Sequence, residues 1–419
     1  MRKGVLSVLV LLLFVSCSYC KLQSLYNPAD FHAFNGAQTM YKECGDKLFS
    51  DLVTTLGYPF SSYTTTTDDG YVLKLFRIQK KGTSMATGKP VVLLQHGIVD
   101  SADDWVVNTE PNSLGFVLAN AGYDVWLSNS RGNKYSKVNK NFSPLRREFW
   151  DYSFQEMGQY DDKANIQFII NFTGQKQVTY VGHSQGTSQM FAALGDKNTA
   201  PYMNTYVKKF IALAPVVFLT NTECKLLRRL AEDNLLIDMA KDFGIDEWLP
   251  GACSKTSAQT EFEDAVCKIE PIFCDWLVSL IDYDPRYDNE KMLPIFLQHN
   301  PSGTSLRTLI HYKQLMLEKD KLKPDFKKYD FGATENQKKY GQKTPPLYDF
   351  SLINIPVRGF VGVDDKLGDP LDNSILNAKL SALGKDYKQY TFDNCGHMTF
   401  MWAKDATPIF KDVLLEIGS

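Results

Sequence analysis

The first β-prone runs are Tyr63–Thr67 and Tyr71–Arg77, on either side of Asp68-Asp69-Gly70, and those turn residues predict an antiparallel hairpin. Short, nearly continuous apolar runs follow at Val91–Leu94, Val125–Leu127, Val178–Val181, Phe210–Leu213, Val357–Val363 and Tyr390–Phe392. Strands covered on both faces read this way. Segments of helical length lie between them, among them Ser113–Asn120 and Asp162–Ile170. Strands alternating with helices predict an α/β chain with a mostly parallel sheet and helices on both faces. The alternation stops after Ala214-Pro215, and the chain is helix-rich until about Pro346. A helical insertion there would sit above the carboxyl ends of the strands, where such sheets bind ligands, and would act as a cap. Within it Phe273, Trp276, Leu277, Leu280 and Ile281 form one apolar helical face. That face packs on the core in the simplest reading; a lipid-facing lid helix is the alternative.

Composition narrows the class. The chain has 419 residues, 44% of them apolar, and a formal net charge of -2, enough for a large core. No basic stripe is present to bind nucleic acid. Arg2 and Lys3 precede an apolar run, Val5–Val15, and then small or polar residues, the layout of a secretory leader over residues 1–20. The run is shorter than the ~20 residues that span a bilayer, so no transmembrane segment is expected after cleavage. Cys44, Cys224, Cys253, Cys267, Cys274 and Cys395 follow the leader, and in an oxidising compartment some of them should pair. These six contain no CxxC spacing, which argues against a zinc site. Asn141-Phe142-Ser143 and Asn171-Phe172-Thr173 are glycosylation sequons.

The chemistry centres on Gly182-His183-Ser184-Gln185-Gly186. A Gly-x-Ser-x-Gly pentapeptide arises by chance in roughly one chain in seven of this length. Here, however, it directly follows the predicted strand Val178–Val181 and precedes a helix-prone run, Thr187–Leu194, the setting of a nucleophile elbow. A serine hydroxyl needs a base, and in this setting the base comes late in the chain. His299 and His311 fall in the predicted cap, where structural roles suit them; His397 follows the last predicted strand and is the candidate base. Asp364, Asp365 and Asp369 all follow the strand Val357–Val363, and position alone does not choose the acid among them. The oxyanion donors are expected to be the backbone N–H groups of Gln185 and of Ile98, in Gln95-His96-Gly97-Ile98. His96 and His183 are expected to support the site by hydrogen bonding.

These residues give the chain a family look. It resembles the acid lipases, the family of gastric and lysosomal acid lipase, from about Leu56 to the C-terminus. The motifs that carry the resemblance include Leu93-Leu94-Gln95-His96-Gly97, Asp124–Asn133, Gly182–Thr187, His299–Ser305 and Pro345-Pro346-Leu347-Tyr348. The resemblance implies an α/β-hydrolase fold with core segments 21–215 and 343–419 and a cap and lid over 216–342. It implies Ser184 as nucleophile, His397 as base and Asp365 as acid, with Ile98 and Gln185 as oxyanion donors. It also implies a Cys253–Cys267 disulfide, with Cys274 as an extra thiol.

The implied activity is hydrolysis of triacylglycerols or steryl esters at an emulsion or membrane interface, with no metal or cofactor, in acidic surroundings, by a secreted or lysosomal protein. Operation in acid would require His397 to titrate below the usual histidine value, near ~6.5. Two features depart from the family pattern. The segment between Cys253 and Cys267 is long, and His397-Met398-Thr399-Phe400 stands where the family usually has His-Leu-Asp-Phe, so an acidic neighbour of the histidine is expected to be missing. The alternatives are a soluble short-chain or phospholipid acyl esterase and a non-catalytic lipid-binding protein. Emulsion-dependent activation and an intact Ser, Asp and His set, respectively, discriminate against them.

Overall fold

A computed structural model describes residues 44–232, 237, 246–251 and 282–419. The predicted leader, the apolar face Phe273–Ile281 and the Cys253–Cys267 pair lie outside the described residues. Strands β1 (Phe60–Thr66) and β2 (Tyr71–Ile78) form the predicted antiparallel hairpin, closed at Gly70 with φ of 96°. β3 (Val91–Gln95), β4 (Asp124–Ser128), the two-residue β5 (Val138–Asn139), β6 (Val178–His183) and β7 (Val207–Leu213) follow. A short antiparallel pair, β8 (Glu247–Trp248) with β9 (Thr304–Ser305), stands apart from the main sheet. β10 (Val357–Gly362) and β11 (Tyr387–Phe392) complete the main sheet.

The order across the main sheet is β1-β2-β4-β3-β6-β7-β10-β11, with β5 on β2. Every pairing from β4 to β11 is parallel, so the hairpin supplies the antiparallel edge. β10 lies beside β7, Val357 against Phe210, although about 140 residues separate them in the chain. The expected insertion, 216–342, falls within that separation.

Alternate residues of each strand feed different cores. Val92 and Leu94 pack with Phe116, Trp105, Phe410 and Trp402, whereas Leu93 packs with Trp126, Tyr180, Phe191 and Phe210 on the other face. The helices Leu114–Asn120 and Thr407–Gly418 contribute to the first layer, and Asp162–Thr173 and Gln185–Gly195 to the second. Two of the predicted strands begin earlier than expected, at Phe60 and Tyr387, because half-exposed residues pair there without an apolar signature.

In the insertion, the helices Leu293–His299 and Leu306–Met316 dock on the core through polar contacts. The Tyr312 hydroxyl donates to Ser188 Oγ at 3.0 Å, and the Ser302 N–H donates to the Val99 carbonyl at 2.6 Å. Lys134, buried, donates to the His299 carbonyl at 2.5 Å and pairs with Asp103 at 2.6 Å. Asp103 also meets His299 Nδ1 at 2.7 Å.

Candidate active site

The turn after β6 forces Ser184 to φ of 51° and ψ of -117°, a backbone region that L-residues seldom occupy. Such strain persists only where the surroundings leave no alternative. Both flanking glycines show why: a Cβ on Gly182 would lie 2.7 Å from the Gly186 carbonyl, and one on Gly186 would lie 2.4 Å from the Gln95 carbonyl oxygen. The Ser184 N–H is held by the Leu213 carbonyl at 3.1 Å, and its own carbonyl accepts from the Thr187 hydroxyl at 2.6 Å. Its side chain is left facing the chain's late loops.

Three loops at the carboxyl ends of the strands meet there. Ser184 Oγ lies 2.8 Å from Nε2 of His397, and His397 Nδ1 lies 2.9 Å from Oδ2 and 3.1 Å from Oδ1 of Asp365. Asp365 is fixed in turn, since its Oδ1 accepts the N–H groups of Leu367 at 2.9 Å and Gly368 at 2.7 Å. The three residues are buried. Asp364 and Asp369 stand elsewhere: Asp369 caps the helix Pro370–Ala382 through the Leu371 N–H at 2.7 Å. Position in the sequence could not distinguish these acids because all of them follow β10 within one loop.

The oxyanion candidates flank the serine. Gln185 opens the helix Gln185–Gly195, so its N–H has no intrahelical acceptor. Ile98 lies in the loop after β3, where Gly97 approaches closely enough that a Cβ would sit 3.3 Å from that of Ser184. His96 braces this loop: its ring meets the Gly97 carbonyl through Nδ1 at 2.8 Å, and Nε2 accepts the Ser130 N–H at 3.0 Å. These contacts make Nδ1 the protonated nitrogen. Burial pulls His96 down to about 4, so it remains a neutral brace. His183 is likewise pulled down to about 3 by burial, and its Nε2 lies 3.2 Å from the His397 carbonyl. His299 lies against Asp103, and His311 stacks on Phe154 at 4.1 Å between ring centres; both are buried in structural contacts.

One sequence expectation is corrected, that of a missing acidic neighbour of the histidine. Thr399 donates its hydroxyl to Asp288 Oδ1 at 2.8 Å and accepts the Gly396 N–H at 3.0 Å. Asp282 Oδ2 accepts the His397 N–H at 2.9 Å. Acidic groups are therefore present, delivered by the end of the insertion rather than by the histidine loop itself. Nothing in the local sequence around His397 announces them.

The charge on the histidine bears on the condition set by work in acid. Burial favours neutral imidazole at His397, but the charge and hydrogen bond of Asp365, with the charge of Asp282, outweigh it and raise His397 above the usual histidine value. The downward shift that work in acid requires is not built into the free site.

Such an arrangement has the parts for acyl transfer: a strained serine, an imidazole in contact with it, a fixed carboxylate and candidate backbone donors beside it. Among the described residues no group of three or more His, Cys, Asp or Glu is disposed to hold a metal ion.

Comparison with known proteins places the chain in a family. Residues 49–109 match the partial alpha/beta-hydrolase lipase region, and residues 90–239 match the alpha/beta hydrolase fold. The chain is 38% identical to gastric triacylglycerol lipase of Rattus norvegicus over 387 residues, covering 89% of this chain and 93% of the relative. It is 36% identical to lysosomal acid lipase/cholesteryl ester hydrolase of Macaca fascicularis over 364 residues, covering 85% and 87%. A solved putative lipase from Sulfolobus solfataricus superposes with a TM-score of 0.50 at 15% identity, over 86% of this chain and 95% of that one, a likeness of fold. The chain belongs to the acid lipase family, the ester-hydrolysing α/β-hydrolases that include gastric triacylglycerol lipase and lysosomal acid lipase.

Proposed function

We propose that the enzyme hydrolyses neutral lipid esters, triacylglycerols or steryl esters, through an acyl-enzyme on Ser184. The observation that carries this reading is the continuous hydrogen-bonded path from Ser184 through His397 to Asp365. His397 Nε2 takes the Ser184 proton as Oγ attacks the ester carbonyl, and the resulting oxyanion is held by the N–H groups of Ile98 and Gln185. The imidazolium, steadied by Asp365, then protonates the leaving alcohol. A water molecule repeats the sequence on the acyl-enzyme, and Ser184 is released. Residues 216–342 act as the cap and lid that select the acyl chain, with 21–215 and 343–419 forming the catalytic core.

The acidic setting of the family meets a site whose charges favour imidazolium. At pH 5 a histidine of ordinary pKa is only about 3% neutral, and an upward shift lowers that fraction further. Work in acid then depends on the bound lipid drying the imidazole further. The protein is assigned to the secretory pathway, outside the cell or in lysosomes. Cys44 is disulfide-bonded, as oxidising compartments permit, and Asn141 and Asn171 are exposed to glycosylation. No helix among the described residues is long and apolar enough to cross a membrane.

The test is a comparison of wild-type protein with Ser184→Ala on an acyl-chain series, offered as monomers and as emulsions from acid to neutral pH. Turnover should vanish in the variant, and long-chain emulsions should be the preferred substrate. Retained turnover in Ser184→Ala would overturn the nucleophile assignment. A preference for soluble short-chain or phospholipid esters would overturn the substrate assignment alone.

A further inference from the structure

We propose that Asp282 is a positioning residue for the hydrolytic reaction: from the end of the insertion it ties the acid loop to the histidine loop and sets His397 against Ser184. A single carboxylate oxygen, Oδ2, accepts both the Lys366 N–H at 3.0 Å and the His397 N–H at 2.9 Å. Lys366 immediately follows Asp365. The two loops that carry acid and base are thereby pinned to one point, beside the Asp365–His397 contact itself.

The residue is built for that place. Asp282 is buried, and its backbone is held at φ of 74°, in the left-handed region where short polar side chains are tolerated at a cost. Gly396 lies beside it, where a Cβ would be in ordinary contact, at 3.5 Å, with both the carbonyl oxygen and Oδ2 of Asp282. A second contact from the same segment repeats the pattern, with Asp288 accepting the Thr399 hydroxyl while that hydroxyl receives the Gly396 N–H. Asp288 also fastens the segment internally through the Asp284 N–H at 2.8 Å.

The charges facing Asp282 come from several elements. The acid loop brings Asp365, and Lys366 whose Nζ is 3.5 Å from Oδ1; the histidine loop brings His397. The segment itself adds Asp288, and the histidine loop also brings the buried Cys395 thiol. Burial and the Asp365 charge raise Asp282 above the usual carboxylate value, while its two backbone donors oppose the rise. As an anion, Asp282 joins Asp365 in favouring imidazolium. It thus acts on the base in two ways, by geometry and by charge, without touching the ester.

The inference rests on the Ser184, His397 and Asp365 reading, and the experiment separates the two. kcat/KM is measured against pH on a soluble short-chain p-nitrophenyl ester for wild type, Asp282→Asn, Asp282→Glu and Lys366→Met, per site titrated with a fluorophosphonate, and for Ser184→Ala per mole of folded protein. Asp282→Asn removes the charge and leaves at best a neutral amide oxygen in the Oδ2 place, which weakens both N–H contacts. It should move the lower limb of the profile down by about half a pH unit or more. Its plateau should fall on the order of tenfold through misplacement of His397. Asp282→Glu keeps the charge and should leave the limb close to wild type while lowering the plateau. Lys366→Met removes the exposed partner cation and should raise the limb; it tests the proposal even where Asp282→Asn yields no titratable protein. An unmoved limb in Asp282→Asn, or in Lys366→Met where that variant stands alone, overturns the proposal. Turnover by Ser184→Ala overturns the triad reading instead.

Discussion

Gly186→Ala joins packing to catalysis in one methyl group. The added Cβ would lie 2.4 Å from the Gln95 carbonyl oxygen and 3.0 Å from that of His96, both backbone atoms that cannot swing aside. Either the helix Gln185–Gly195 or the loop after β3 must shift by about 1 Å to restore ordinary contact. Overpacking of this kind costs about 1–3 kcal/mol. With an unfolding entropy of about 2 cal/mol/K per residue, a domain of this size should lose about 1–4 °C in Tm. The catalytic loss should be larger, because the displaced groups carry both proposed oxyanion donors. A misplacement of about 1 Å costs on the order of 10²-fold, close to the loss expected from one weakened oxyanion donor. The assay pairs calorimetry with kcat per titrated site on a soluble ester. Gly45→Ala is the control, since nothing lies within 4 Å of its added Cβ. A Gly186→Ala enzyme with wild-type kcat per titrated site would refute the link between this close approach and the oxyanion loop.

Two further outcomes follow from the same site. Asp365→Asn preserves shape but offers an amide to His397 Nδ1, so kcat should fall by about 10⁴-fold with little change in Tm; a loss under tenfold would remove Asp365 from its assigned role. Asp288 is raised by burial to about 7, so the folded protein binds a proton that the unfolded chain releases above about 3.8. The resulting stability is present in acid and lost as pH rises towards 7. Tm should therefore climb on acidification from pH 7.5 towards 4.5, and Asp288→Asn should flatten that slope; an unchanged slope in the variant would exclude Asp288 as its source.

The legible part of the molecule is the part whose physics is local. β3, β6 and β7 are buried on both faces, and unbroken apolar runs follow directly from that burial. The elbow is legible for the same reason: the glycines at 182 and 186 are required by contacts within a few ångströms of the turn. The acid was legible only to within a loop. Asp364, Asp365 and Asp369 share composition and position, and they differ in which way the chain turns after β10, which is a tertiary outcome.

Asp282 and Asp288 lie further from the reach of pattern. Each is one carboxylate among many in a charged stretch, more than 100 residues before the histidine loop that it braces. The sequence around His397 shows only a gap, a threonine where the family usually carries an acid, and that gap invites the inference that the histidine lacks acidic company. The fold reverses the inference by bringing the end of the insertion down onto the loop. Of the two, Asp282 is the one whose charge acts on His397, while Asp288 holds the loop through Thr399. As an anion, Asp282 brings negative charge from a segment remote in sequence to the side of His397, and so bears on the pH at which the proposed base would be neutral.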